Sequence, residues 1–175
     1  MANKEIFLAT ISNVTHDFQI YEFRDQLTVT VPKSEIVAVC NELKNNENTK
    51  FDQLRDLTAV DWLRDEKRFE VVYILYSLSL KHRLRLKVQL DEHDLKVESV
   101  FSVWQSANWY ERETYDMYGI KFTNHPDLRR FYMPEDYVDP ETHEPIYPLR
   151  KDFPLMGIPN SLPLPPYPEK YGYEE

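Results

Sequence analysis

Leu84-Arg-Leu-Lys-Val-Gln-Leu90 alternates apolar and polar residues without a break. In an extended chain successive side chains point to opposite faces. Leu84, Leu86, Val88 and Leu90 therefore share a dry face, and Arg85, Lys87 and Gln89 share a wet one. A sheet with one solvated face is typically antiparallel. Working outward, Val71-Val-Tyr-Ile-Leu-Tyr76 is apolar on both faces and predicts a central strand within a β-rich stretch from Phe69 to Leu80. Phe51 to Val60 is also rich in β-formers. Phe18 to Phe23 and Leu27 to Val31 read as two strands joined tightly at Arg24-Asp-Gln26.

Helical spacing appears between these runs. Lys4 to Val14 predicts a short amphipathic helix with Ile6, Phe7, Ala9 and Ile11 available for burial. After Pro32, which a helix tolerates near its start, Ile36, Val37, Cys40 and Leu43 repeat with helical period. Asn108-Trp-Tyr-Glu111 has the form of a capping box, and Gly119 suits a left-handed stop, so a third helix is predicted over Trp109 to Tyr118. The fold class expected is α+β, a mostly antiparallel sheet with helices on one side.

Glycine and proline divide the chain. None of the three glycines precedes Gly119, and eleven of the twelve prolines follow His125. Proline removes a backbone donor and biases its neighbour toward extended geometry. Residues 1–120 are thus expected to form the α+β domain, and residues 121–175 an extended, proline-rich C-terminal arm. In polyproline geometry 55 residues span on the order of 170 Å at most, enough to cross the face of a neighbouring protein. Leu162, Leu164, Tyr167, Tyr171 and Tyr173 in the tail are residues that a solvated terminus does not need.

Composition excludes several functions. With 42% hydrophobic and 29% charged residues, the 175-residue chain can bury a core and stay soluble. A net charge of -9 argues against nucleic-acid binding and against direct docking on anionic lipid. No run approaches the roughly 20 apolar residues of a membrane span, and the first ten residues lack a signal-peptide plan, so a cytoplasmic setting is expected. Cys40 stands alone, which leaves no disulfide framework, zinc knuckle or iron–sulfur ligand set.

The charged motifs cluster late in the chain. On the third predicted helix Glu113 and Asp116 are three apart and Arg112 and Asp116 four apart, so they share one side. Glu111-Arg-Glu-Thr-Tyr-Asp116, Tyr118-Gly-Ile-Lys-Phe122, His125-Pro-Asp-Leu-Arg-Arg130 and Pro148-Leu-Arg-Lys-Asp-Phe-Pro154 together resemble the 30-kilodalton subunit of NADH:quinone oxidoreductase (respiratory complex I). The resemblance runs more loosely through Leu57 to Trp62 and Phe69 to Tyr73. It departs from the family at Tyr137 to Ile146, where a short tryptophan-glycine link is expected.

The resemblance implies a subunit of the hydrophilic arm that itself carries no cofactor and packs beside the larger, 49-kilodalton-type quinone-site subunit. FMN and iron–sulfur clusters would sit in partner subunits of the proton-translocating complex, at the cytoplasmic face of the membrane. The isolated chain would be non-catalytic. The candidate partner interface comprises Glu111, Arg112, Glu113, Asp116, His125, Asp127, Arg129, Arg130, Arg150, Lys151 and Asp152. Arg129-Arg130 and Arg150-Lys151 are wedged between apolar and proline residues, where guanidinium forks suit a partner's carboxylates. Two other readings compete. One is the equivalent subunit of a membrane-bound hydrogenase or another quinone- or ferredoxin-linked dehydrogenase. The other is a small metal-dependent hydrolase using Glu113, Asp116, His125 and Asp127 as oxygen and nitrogen donors, although mutual ion pairing with the interleaved arginines accounts for these residues more simply.

Overall fold

The alternating run forms the strand its pattern demands. In the computed structural model, which describes residues 2–64, 66–154 and 157, its leucines and Val88 are buried while Arg85, Lys87 and Gln89 are half-exposed. In chain order the elements are α1 (Ala2–Ser12), β1 (Gln19–Phe23), β2 (Gln26–Thr30), α2 (Ile36–Asn45), β3 (Gln53–Asp61), β4 (Phe69–Tyr76) and β5 (Arg83–Leu90). After a 3-10 turn at Glu92–Asp94 come β6 (Lys96–Glu98), α3 (Ala107–Tyr118) and β7 (Lys121–Thr123).

The main sheet has the order β1-β2-β5-β4-β3. Three of its neighbour pairs are antiparallel, and β2 meets β5 in parallel, so the sheet is mixed but mostly antiparallel. Phe69, Val71, Tyr73 and Leu75 of β4 point to the same face as Leu84, Leu86, Val88 and Leu90 of β5. They form one core with Phe7 and Ile11 of α1, Ile36, Val39, Cys40 and Leu43 of α2, and Ala107 of α3. Burying such side chains contributes roughly 1.5–3 kcal/mol each. The other face of the sheet bears Arg85, Lys87, Thr58 and Tyr76, none of which belongs to that core.

The central strand expected over Val71 to Tyr76 forms as β4 and ends at Tyr76, because residues 78–80 turn, with the Leu78 N–H donating to Asp52 Oδ1 at 3.1 Å and the Leu80 N–H to Ser77 Oγ at 3.3 Å. Two local expectations are corrected. Ala9 is exposed, and Thr10 takes the buried position beside Ile11. The capping box does not form: α3 starts before Asn108, its N-cap Ser106 makes no capping bond to the helix and turns its hydroxyl to the Leu54 carbonyl, and Glu111 turns inward. Gly119 does stop the helix in left-handed geometry, φ 78°. The short parallel pair β6–β7 has no counterpart in the sequence pattern, and it binds the first residues after the domain boundary expected at 120 back to Lys96–Glu98. Most of the tail beyond Pro154, including its leucine and tyrosine residues, lies outside the described residues.

Candidate partner interface

The motif charges are arranged in three groups, the first of them buried. Glu111 accepts hydrogen bonds from Ser99 Oγ (2.5 Å) and the Val100 N–H (2.8 Å). Burial pushes its carboxyl up to about 7 against the opposing pull of those two donors. His125 Nδ1 accepts from the Asp127 N–H at 3.0 Å, which assigns the ring hydrogen to Nε2 and directs it at the Asn108 carbonyl, 3.2 Å away. That nitrogen lies 3.9 Å from Glu111 Oε2, and both side chains are fully buried. Burial lowers the His125 pKa, so the imidazole is held neutral.

The second group gathers the chain after β7. Asp116 Oδ2 accepts from three consecutive backbone N–H groups, those of Phe131, Tyr132 and Met133, at 3.2, 2.8 and 2.9 Å. Successive N–H groups aimed at one carboxylate form an anion nest. Arg130 is nearly buried. Both terminal nitrogens donate to the Ile146 carbonyl at 3.1 Å, and Nη1 stands 3.5 Å from Asp116 Oδ1, a charge pair without hydrogen-bond geometry. Arg112 donates to the carbonyls of Arg129 and Arg130. Of the ion pairing expected between the acids and the interleaved arginines, Asp116 pairs with Arg130 and Asp127 with Arg129, whereas Arg112 and Asp116 do not meet each other and gather the 129–133 segment separately. The departing stretch Tyr137 to Ile146 is closed on itself, with a bridge between Val138 and Pro145, buried Tyr137 and Ile146, and Asp139 accepting from the N–H groups of Glu141 and Thr142.

The third group docks Pro148-Leu-Arg-Lys-Asp-Phe-Pro154. A helix leaves its last carbonyls unpaired. Here the Leu149 N–H donates to the Met117 carbonyl and Arg150 Nε to that of Tyr118, at 3.2 and 2.7 Å. The Arg150 guanidinium also stacks on Tyr147, 4.5 Å from its centroid, and its charge favours the negative helix end. A buried hub holds the next two residues. Arg68 forks onto Asp61 (2.9 and 2.8 Å) and reaches Glu92 and Asp152. The Lys151 N–H donates to Asp61 Oδ2. Burial disfavours the Asp61 charge, but Arg68 and two backbone N–H groups overcome it and hold the carboxyl at about 2.

Two large aromatic side chains stand outward beside these groups. Trp109 and Tyr132 are each 61% exposed. Phe131 links them, 5.6 Å from Trp109 edge-to-face and 4.1 Å from Tyr132. The Arg112 guanidinium lies 4.9 Å from the Trp109 ring and 5.1 Å from that of Phe131. Glu113 is half-exposed and makes no side-chain bond among the described residues, Asp127 and Arg129 pair with each other in solvent, and the Lys151 side chain is exposed. Glu113, Asp116, His125 and Asp127 are not brought together, and no group of His, Cys, Asp and Glu among the described residues has metal-site geometry. Sequence reasoning missed the Asp61–Arg68 hub and the role of Phe131 and Tyr132. A legible signal was Trp109 itself, which shares a helix side with Arg112, Glu113 and Asp116 although that side is otherwise charged.

Residues 29–159 match the family described as respiratory-chain NADH dehydrogenase, 30 Kd subunit. The chain is 46% identical over 155 residues to the C subunit of NADH-quinone oxidoreductase from Geobacter sulfurreducens, covering 88% of this chain and 86% of that one. It is 48% identical over 134 residues to the protein of the same name from Roseiflexus sp., covering 77% and 73%. Among solved structures, a trypsin-resistant fragment of Nqo5 is similar with TM-score 0.61 and 30% identity over 73% of this chain and all of the fragment. A chain from a membrane-bound sulfane sulfur reductase, an archaeal respiratory membrane complex, is similar with TM-score 0.69 and 25% identity over 89% and 88%. No helix among the described residues is long and apolar enough to cross a membrane.

Proposed function

From the premise that this chain belongs to the 30-kilodalton subunit family of respiratory-chain NADH dehydrogenase, we propose that it is a docking subunit of the hydrophilic arm of NADH:quinone oxidoreductase. In this reading the chain holds no cofactor. FMN and the iron–sulfur clusters belong to other subunits, and the chain braces the quinone-site subunit of the 49-kilodalton type, peripheral to the membrane on the cytoplasmic side.

One observation carries the reading. The charged motif residues Arg112, Asp116, Arg130 and Arg150 organise residues 129–150, and that organisation leaves Trp109, Phe131 and Tyr132 as a fixed aromatic cluster at the surface. Tryptophan, tyrosine and arginine are the residues that dominate interface energetics, and large aromatics held rigid lose little entropy on binding. Glu113, on the same side of α3, and the exposed pair Asp127 and Arg129 supply polar groups for its rim. Lys151, Asp152 and Arg150 then contribute through the chain segment they pin more than through free forks.

A second reading keeps the architecture and changes the machine, on the strength of the likeness to the sulfane sulfur reductase chain. Affinity purification of this chain from gently solubilised membranes separates the two. NADH-dependent quinone reduction, together with FMN and iron–sulfur subunits in the purified material, is expected. Copurification of a complex lacking the flavin and nicotinamide subunits favours the second reading, and purification of the chain alone contradicts both.

A further inference from the structure

Six of the ten arginines, at 64, 68, 112, 129, 130 and 150, end on carboxylates or backbone carbonyls of their own chain. The other four, Arg24, Arg55, Arg83 and Arg85, form no ion pair among the described residues, and all four line one open concavity of about 520 Å³ on the sheet face away from the helices. The nearest thing to a partner is neutral: Arg85 donates to Gln26 Oε1 at 2.8 Å and Arg55 to Gln53 Oε1 at 3.3 Å. A chain with 30 acidic residues and a net charge of -9 has ample carboxylate to neutralise four arginines. Asp25 alone among the acids lines the concavity, and it pairs with none of them.

Local backbone features set these side chains in place. Arg24 and Asp25 are the two loop residues between paired Phe23 and Gln26, with φ 50° and 60°. A turn with both φ positive favours Asn and Gly, so Arg-Asp there carries a conformational penalty. Arg55 is the extra residue at the break in register between Leu54 and Asp56, and such bulges re-aim side chains. Its guanidinium stands over Tyr76, 5.2 Å from the ring centroid, and that of Arg83 stands 5.9 Å from the same ring. Arg85 follows from the alternation of β5. Tyr21 pairs with Thr28, which pairs with Arg85, so Tyr21 shares their face; it and Phe23 are 62% and 56% exposed.

We propose that this sheet face docks an acidic segment of another polypeptide, carboxylates meeting Arg24, Arg55, Arg83 and Arg85 and apolar side chains covering Tyr21 and Phe23. Guanidinium forks match carboxylates in geometry, and complementary charge governs which surfaces meet. The four cations are distributed over a turn and two strands beside exposed aromatic rings. That mix fits alternating acidic and apolar side chains, whereas a free phosphate offers nothing to the rings. The surface is separate from the Trp109 cluster and binds independently of it.

The test uses the full-length purified chain and a fluorescent peptide that alternates glutamate with leucine. Binding is expected to weaken as salt is raised. Arg83→Gln/Arg85→Gln should weaken it by about tenfold or more with an unchanged melting temperature, while Lys121→Gln on remote β7 leaves it unchanged. Absence of binding, equal binding of the glutamine-for-glutamate peptide, or affinity indifferent to the arginine substitutions overturns the proposal. So does displacement of the peptide by inorganic phosphate at low concentration, or binding of phosphatidylglycerol vesicles in preference to the peptide, since either assigns the face to a phosphate ligand.

Discussion

Arg129 and Arg130 are neighbours in sequence and opposites in physics. Arg129 pairs with Asp127 where both side chains are more than half exposed, a contact that typically contributes under about 1 kcal/mol. Arg130 is buried against Asp116 and holds the Ile146 carbonyl. Arg129→Glu is therefore expected to leave the isolated chain's melting curve nearly unchanged. Arg130→Glu places a second carboxylate beside Asp116 and should destabilise the fold by about 3–5 kcal/mol; equal melting temperatures for the two variants contradict this. A pH dependence follows from Glu111. Its folded-state value of about 7 exceeds the 4.5 of a free glutamate. Between those values the folded chain keeps a proton that the unfolded chain has lost. The stability is complete below about pH 4.5 and declines as pH rises through about 7, by on the order of 3 kcal/mol. Glu111→Gln should flatten that part of the melting-temperature curve, and an unchanged slope would show the carboxyl is already ionised. The motif charges were legible as a group, because spacing on a helix tells which side chains share a side. Whether that side faces solvent or the chain's own next segment is a tertiary matter, and so the inward turn of Glu111 and Arg130 was not legible.

At the scale of elements, strict alternation and helical period located the five long strands and three helices to within a few residues. Strands β6 and β7 escaped because three residues hold no period, and their pairing depends on α3 returning the chain beside Lys96. The left-handed end of α3 was readable from Gly119 alone, but its second duty was not. A Cβ on Gly119 would lie 2.6 Å from the Tyr147 ring and 2.7 Å from Arg150 Nη2. Gly119→Ala thus meets both an unfavourable φ, worth about 1–3 kcal/mol, and the segment that caps the helix. The expected outcome is a chain of normal helix content in which trypsin cleaves after Arg150 or Lys151 several-fold faster. Cleavage at the wild-type rate would mean that residues 147–152 are held without the close approach to α3.

On the scale of the whole molecule, the acidic net charge conceals an asymmetry. One side of the sheet carries the core and helices, the other an arginine-lined concavity, and the C-terminal half of the described chain builds a separate aromatic surface on α3. In the proposed function, this aromatic surface is the contact with the quinone-site subunit. Its most direct test is the affinity of the purified chain for the purified quinone-site subunit, measured for the natural sequence and for Trp109→Ala/Tyr132→Ala. Truncated hot-spot aromatics typically lose 2 kcal/mol or more each, so binding is expected to weaken by about 100-fold or more, while the melting temperature of the isolated variant stays close to that of the unaltered chain. Equal affinity of the two proteins would contradict the account.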